Sequence, residues 1–337
     1  MGRPMIGHRS KAYQDLHAST VEKLKKILFT ENDVHLSASS ATGVFEACVR
    51  NCIKKKALAC VCGAFSKKWY QVAIENGKEC DKIEVEWGKA IKPEMIDEKL
   101  STGEYDSLLF VNNETSTGVA SPLYEIAEVV KKYPDVVFMV DAVSSLTGMK
   151  LEVDKLGIDV CLAGTQKAFA LPPGLAIFTV SEKAYKRAES VPNRGHYFDF
   201  LGFRKYGQKN QTPSTPAISQ IYALNLQLER MLNEGMENRF KRHAQMAEFT
   251  RKWVIDSGFE LFTEKGYESN TLTTVLNNKG IDVNELISKL VDKGMIIGNG
   301  YGELKNKTFR IAHMGDTTMD DMKELLNNMS EILEGEK

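Results

Sequence analysis

The sequence predicts an α/β fold, a mostly parallel sheet between helices followed by a smaller α+β unit. Two observations carry this reading. From about residue 35 to 180, short continuous apolar runs alternate with helix-length segments, the pattern of strands covered by helices on both faces. Beyond about residue 216 the texture changes to long amphipathic helices and then to a β-α-β-β-α order.

The strand candidates, in order, are "LACVCG" (58–63), "KIEVEW" (82–87), "SLLFVN" (107–112), "VVFMVD" (136–141), "VCLAG" (160–164) and "LAIFTV" (175–180). Segments such as "LYEIAEVVKKY" supply the helices between them. Next come "ISQIYALNLQLERMLNEG" and "MENRFKRHAQMAEFTRKWVIDSG", each closed by a glycine, the residue that ends a helix with least strain. "NTLTTVL", "VNELISKLVDKG", "MIIGNG", "TFRIAH" and "MDDMKELLNNMSEIL" complete the smaller unit. With 337 residues, 42% of them hydrophobic and 26% charged, the chain can bury a large core and a small one. Residues 1–232 are expected to form a large domain and 233–337 a small α+β one.

Charge argues for small-molecule chemistry. Basic residues number 44 and acidic ones 45, with no long single-sign block, which speaks against a nucleic-acid or membrane-surface partner. The opening "MGRPMIGHRSKAY" has no apolar leader core, Ile6 stands where a myristoylation signal needs Ser or Thr, and no apolar run approaches a membrane span. A cytoplasmic protein is expected. The six cysteines (48, 52, 60, 62, 80, 161) lack zinc-ligand spacing and are expected to be reduced, mostly buried thiols.

In open α/β sheets ligands bind beyond the C-terminal strand ends, so the residues delivered there matter most. "VVFMVD" ends in Asp141, either an N-cap of the next segment or the partner of a buried cation. "CLAGTQK" delivers Gln166 and Lys167; a lysine there is a solvated strand exit or an amine that forms a Schiff base. "LSASSATGVFEACVR" (36–50) sets small hydroxyl residues before a helix that begins near Thr42, whose free N–H groups suit a phosphate, though a plain capping run has the same composition. Each feature alone has a structural reading. Together they are the parts needed for pyridoxal phosphate: a phosphate anchor, a carboxylate for the pyridine nitrogen and a lysine for the aldehyde.

Six motifs, "SSATGVFEA", "NNETSTGVASPL", "VDAVSSLTG", "GTQKAFALPPG", "TPSTPAISQIYAL" and "FRIAHMGD", run in order across nearly the whole chain. On them the chain resembles the class V aminotransferases of the fold-type I pyridoxal-phosphate enzymes, and among them the alanine/serine–glyoxylate aminotransferase group. The resemblance implies a seven-stranded sheet and pyridoxal 5′-phosphate as cofactor. It makes Lys167 the Schiff-base lysine and the proton-moving base, Asp141 the partner of the pyridinium nitrogen, and Val143 a residue packed beneath the ring. Phe65 falls where the family places the aromatic that stacks on the pyridine. Ser40, Ala41 and Thr42 belong to the phosphate cradle with Gln166, and Thr115 or Ser116 bonds the phenolic oxygen or the cofactor's edge. Gln211 and Thr212 match a segment that reaches the phosphate from the other subunit of a homodimer, so the active site is expected to be shared. Arg310 matches the arginine that holds the substrate α-carboxylate, which a bidentate guanidinium fits and a lysine does not.

The implied reaction moves an amino group from alanine or serine to a small 2-oxo acid such as glyoxylate or pyruvate. The segment 1–12 is expected at the substrate pocket, with His8 and Arg9 binding substrate; phosphoserine transamination is the close rival, because His8 and Arg9 in "GHRS" are similar to the pair that phosphoserine aminotransferases use for the substrate phosphate. Cysteine desulfuration shares the fold but needs a mobile cysteine in the C-terminal half, and none follows Cys161. An inactive fold relative predicts loss of Lys167, Asp141 or Arg310, and all three are present. The chain departs from the family at its start: relatives carry a segment with a Pro-Gly-Pro turn before the equivalent of "MIGHRS", so either the chain is truncated or its pocket is more open.

Overall fold

The computed structural model describes residues 4–335, so the first three positions of the segment expected at the substrate pocket lie outside the described residues. The strands of its first part are β1 (Asp33–Ser37), β2 (Lys56–Val61), β3 (Glu79–Glu84), β4 (Ser107–Val111), β5 (Asn113–Glu114), β6 (Val119–Ala120), β7 (Val137–Asp141), β8 (Val160–Gly164) and β9 (Ala176–Val180). β5 and β6 pair as a short hairpin, and the other seven form one sheet in the order β1-β9-β8-β7-β4-β2-β3. From β3 across to β8 the strands are parallel, while β9 runs antiparallel to β8 and β1 to β9. β4, β7, β8 and β9 are buried at every position, which is why their sequences are continuous apolar runs.

Helices cover both faces. On one lie α1 (Lys11–Leu28), α4 (Pro93–Leu100), α5 (Leu123–Val130), α6 (Val153–Leu156) and α9 (Ile218–Glu234), which bury residues such as Tyr13, Leu24, Ile96, Ile126 and Leu228. On the other lie α2 (Ala41–Cys52), α3 (Ala64–Glu75), α7 (Glu182–Ser190) and α8 (Phe200–Gly207), packed through Val44, Trp69, Tyr185 and Phe200. All six cysteines are buried free thiols in this part, as expected. Desolvation raises the Cys48 and Cys161 thiols, so they behave as small core hydrophobes.

Two differences from the sequence reading have local causes. "LACVCG" leaves the sheet at Val61, because the N–H groups of Cys62 and Gly63 turn to the Ser66 hydroxyl at 3.0 and 3.1 Å and start α3. β1, not among the strand candidates, is a five-residue antiparallel edge strand with a histidine in its middle, paired by ladder bonds to β9 and not marked by an apolar run.

Gly235, at φ 81°, turns the chain from α9 into α10 (Met236–Asp256). The remaining strands and α-helices are β10 (Glu260–Leu261), β11 (Leu272–Leu276), α11 (Val283–Asp292), β12 (Gly298–Asn299), β13 (Thr308–Ala312) and α12 (Met319–Glu334), with one 3₁₀ turn at Gly302–Leu304. They give the anticipated β-α-β-β-α order with β10 added, in an antiparallel sheet β10-β11-β13-β12 over a separate core of Val275, Leu286, Phe309 and Met322. Buried polar bonds join the two parts: Thr271 Oγ1 donates to Ser144 O at 2.6 Å, and Arg239 Nη2 to Ala168 O at 2.7 Å. Among the described residues no helix is long and apolar enough to cross a membrane.

Candidate active site

Parallel strands β7 and β8 end side by side, with Asp141 in register with Leu162, so the side chains after them emerge together. Asp141 is 5% exposed and accepts the Val143 N–H at 2.8 Å through Oδ1. No cation lies within ion-pair distance of it among the described residues. Burial pushes its carboxyl up to about 7, the Val143 N–H pulls it down, and the Glu114 charge adds to the rise.

Lys167 stands three residues beyond β8 in a turn that the chain stitches tightly. Thr165 Oγ1 donates to Pro172 O at 2.8 Å, Leu171 N to Thr165 O at 3.0 Å and Ala170 N to Lys167 O at 2.8 Å, with Ala170 left-handed at φ 55°. The Lys167 amine has no carboxylate partner among the described residues; burial lowers its proton affinity, the Arg310 charge lowers it further and Asp141 opposes both. A Cβ at Gly164 would meet the Gln166 amide oxygen at 2.5 Å, so glycine there lets that side chain fold back beside the lysine.

One cavity gathers nine of the twelve predicted cofactor-binding residues: Ser40, Ala41, Thr42, Phe65, Thr115, Asp141, Val143, Gln166 and Lys167. Ser40 is the N-cap of α2 yet its hydroxyl makes no cap bond, and the first-turn N–H groups of Ala41 and Thr42 have no partner inside the helix. The Thr115 and Ser144 hydroxyls meet at 2.6 Å. Sequence reasoning missed two lining residues, Phe45, a core residue of α2, and Asn113, whose Nδ2 donates to Thr271 Oγ1 at 3.0 Å while its buried Oδ1 has no partner. The signal for Asn113 was the polar "NN" pair directly after an apolar strand.

Arg310, on β13, reaches this cavity's edge from the second sheet. Its Nε donates to Asn299 O at 3.0 Å and its Nη1 to Thr115 O at 3.3 Å, while Nη2 makes no hydrogen bond among the described residues. The donors left on the terminal nitrogens suit the paired hydrogen bonds of a carboxylate. The Tyr301 ring lies 5.7 Å from the guanidinium and 5.1 Å from the Phe65 ring.

The other predicted residues lie elsewhere. Ser116 is fully buried and bonded to Glu114 and to the Ala64 N–H, away from the cavity lining. Arg9 Nη1 donates to Gln211 Oε1 at 2.8 Å and to Thr212 O at 3.1 Å and covers the Tyr206 ring. His8 is exposed and lines a separate cavity with residues 215–220. Within one chain these four, His8, Arg9, Gln211 and Thr212, stand apart from Lys167.

A buried acid and an amine at adjacent parallel strand ends share one cavity with an open helix N-terminus. The class-V aminotransferase family model matches residues 5–325, and the chain belongs to that family, whose members depend on pyridoxal 5′-phosphate. It is 42% identical over 323 residues to an uncharacterized aminotransferase of Methanocaldococcus jannaschii, covering 94% of this chain and 83% of that protein. It is 33% identical to the serine–glyoxylate aminotransferase of Methylorubrum extorquens, covering 92% and 80% of the two chains. The crystal structure of an alanine–glyoxylate aminotransferase from Nostoc sp. superposes with a TM-score of 0.92 at 28% identity, covering 98% of this chain and 90% of that one.

The residues present fit the cofactor. Asp141 is a buried carboxylate lacking a cation, Asn113 Oδ1 is a buried acceptor lacking a donor, and the α2 N-terminus offers unpaired N–H groups. Each of these groups stays uncompensated until a ligand supplies what it lacks.

Proposed function

We propose that the chain transfers the amino group of alanine or serine to glyoxylate or pyruvate, holding the cofactor covalently through Lys167. Arg310 is the observation that carries this reading, a guanidinium fixed by two backbone carbonyls with an open fork at the rim of the Lys167 cavity. It binds the α-carboxylate common to amino and 2-oxo acids and so fixes which Cα–H bond faces the lysine. When bound, pyridoxal phosphate supplies the electron sink that makes that proton removable. Lys167, poised toward neutrality by burial, takes and returns the Cα proton, and Asp141 holds the proton on the pyridine nitrogen. The N–H groups of Ala41 and Thr42 with Gln166 hold the phosphate, Phe65 and Val143 bracket the ring, and Thr115 bonds its oxygen-bearing edge.

The small-substrate reading is supported by the relatives named for serine and alanine with glyoxylate. Phosphoserine is the less favoured donor, since within the chain Arg9 is engaged by Gln211 and Thr212 and His8 opens onto another cavity. Desulfuration has even less support, because all six thiols are buried. We take residues 1–232 and 233–337 as two domains, and the protein as a cytoplasmic homodimer in which Gln211 and Thr212 serve the partner's phosphate. Reduced thiols accord with that compartment.

Single-turnover visible spectra with alanine, serine, aspartate and phosphoserine test the substrate. Rapid bleaching of the cofactor band by alanine or serine is expected; a response to phosphoserine alone would replace this reading with its rival. Mixing two inactive variants, Lys167→Ala and Thr212→Ala with Gln211→Ala, tests the shared site. Partial recovery of activity is expected, and none at all means each chain works with its own residues.

A further inference from the structure

Glu114 is a completely buried carboxylate that the reaction does not use, one residue before Thr115 on β5. Every hydrogen bond it makes is to a donor. Its Oε1 accepts the Phe65 N–H at 3.3 Å, the Ser116 N–H at 3.1 Å and the Ser116 hydroxyl at 2.7 Å. Its Oε2 accepts the Ser66 N–H at 2.9 Å and the Ser66 hydroxyl at 2.8 Å. The neighbouring Ala64 N–H is taken by the Ser116 hydroxyl at 3.0 Å. The first turn of α3 is therefore held from outside, by a remote strand, in place of a residue at its own N-cap position. That position is Gly63, where a Cβ would come within 2.4 Å of the Glu114 side chain, so no larger residue shares the space.

The residue set by this turn is Phe65, which lines the cavity proposed for the cofactor, and the strand doing the holding supplies Asn113, and the chain just after that strand Thr115, to the same cavity. We propose that Glu114 is a positioning residue: its charge clamps α3 to β5 and so fixes the Phe65 ring relative to Asn113 and Thr115, the two walls of the cofactor pocket. Charge, more than shape, is what the clamp needs. Both oxygens face backbone N–H groups, so an amide in either orientation sets N–H against N–H in a dry site. The carboxylate also complements the positive end of α3, a helix of 12 residues.

This inference rests on Phe65 facing the cofactor ring, and its test separates the two ideas. In the full-length cofactor-free protein, hydrogen exchange at the amides of Phe65 and Ser66 is measured for wild type and Glu114→Gln. Titration with pyridoxal 5′-phosphate, followed by visible absorbance, then gives cofactor affinity for wild type, E114Q, F65L and the double variant. E114Q is expected to lose protection at those two amides with unchanged far-ultraviolet circular dichroism, and to bind the cofactor about tenfold more weakly. In the F65L background the same change is expected to alter affinity less than about twofold, because the ring it positions is gone. Ser66→Ala, which removes one of the five donors, serves if E114Q does not fold, with roughly threefold weaker binding expected. Wild-type exchange and affinity in E114Q, or equal losses with and without Phe65, overturn the proposal. Lost protection with unchanged affinity in E114Q and F65L alike shows the clamp is real but Phe65 is not a cofactor wall, which overturns the reading beneath it.

Discussion

Buried acids stand at both ends of β7 under opposite conditions, one on the strand itself and two just before its neighbours β8 and β4. Near its start, Asp159 and Asp106 are buried acids whose needs are met: Asp159 accepts the Phe138 N–H at 2.8 Å and the Ser181 hydroxyl at 2.6 Å and pairs with Lys183 at 2.8 Å. Asp106 takes the Lys54 and Lys55 N–H groups and pairs with Arg187 at 3.1 Å. At the other end, five residues along one strand, Asp141 has one N–H and no cation. A buried acid that the fold satisfies reads as scaffold; one left incomplete in the same sheet marks a candidate ligand site.

Breaking the incomplete end should have the largest consequences. Lys167→Ala is expected to lower turnover by about 10⁴-fold, the upper range for a positioned acid–base group, while still retaining cofactor through phosphate contacts. Steady-state rates and gel-filtered absorbance measure both, and turnover close to wild type would remove Lys167 from the chemistry.

Asp141→Asn gives the next effect, and its direction is opposite for activity and stability. The buried carboxyl titrates near 7 in the cofactor-free fold against 3.8 ordinarily, so the fold retains its proton longer than the unfolded chain. Its contribution is fully present below about pH 4, is lost as pH rises, and is gone above about 7, a difference on the order of 4 kcal/mol. Denaturant melts of the cofactor-free protein should therefore show D141N more stable at pH 8 but not at pH 4, while its turnover falls. A wild-type protein no less stable than D141N at pH 8 would contradict the picture of an uncompensated acid.

Arg310→Ala is expected to reduce kcat/KM by about 10²-fold, mainly through KM, with cofactor affinity unchanged, and lysine there should recover little of it. At the satisfied end, Asp159→Ala should cost about 2 kcal/mol of stability, because the Phe138 N–H is left unpaired, and leave turnover intact. A large fall in turnover without a change in melting would blur the contrast between the ends.

Much of this was legible because it is local. Lys167, Asp141 and the α2 entry each announce themselves as polar residues after an apolar run, and the buried parallel strands write that run plainly. Asn113 was readable by the same rule and was passed over. Arg310 was different: without the family motif it is an unremarkable edge-strand arginine, since its place beside the cavity depends on Thr115 O, 195 residues away. Ser116 shows the limit of a motif, which brings two adjacent hydroxyls to the region and leaves open which one turns inward.

Local patterning was enough to set the alternation of strands and helices, the two cores and the chemical groups at the strand ends, because apolar periodicity and turn residues act over a few positions. Which of those groups meet is a matter of packing in three dimensions. The register of β7 beside β8 brings Asp141 and Lys167 to one mouth, Glu114 closes a helix 48 residues before it in sequence onto that mouth's wall, and β13 delivers Arg310 across from a second sheet. Those contacts are set by how whole layers pack, a many-body outcome that no local stretch encodes.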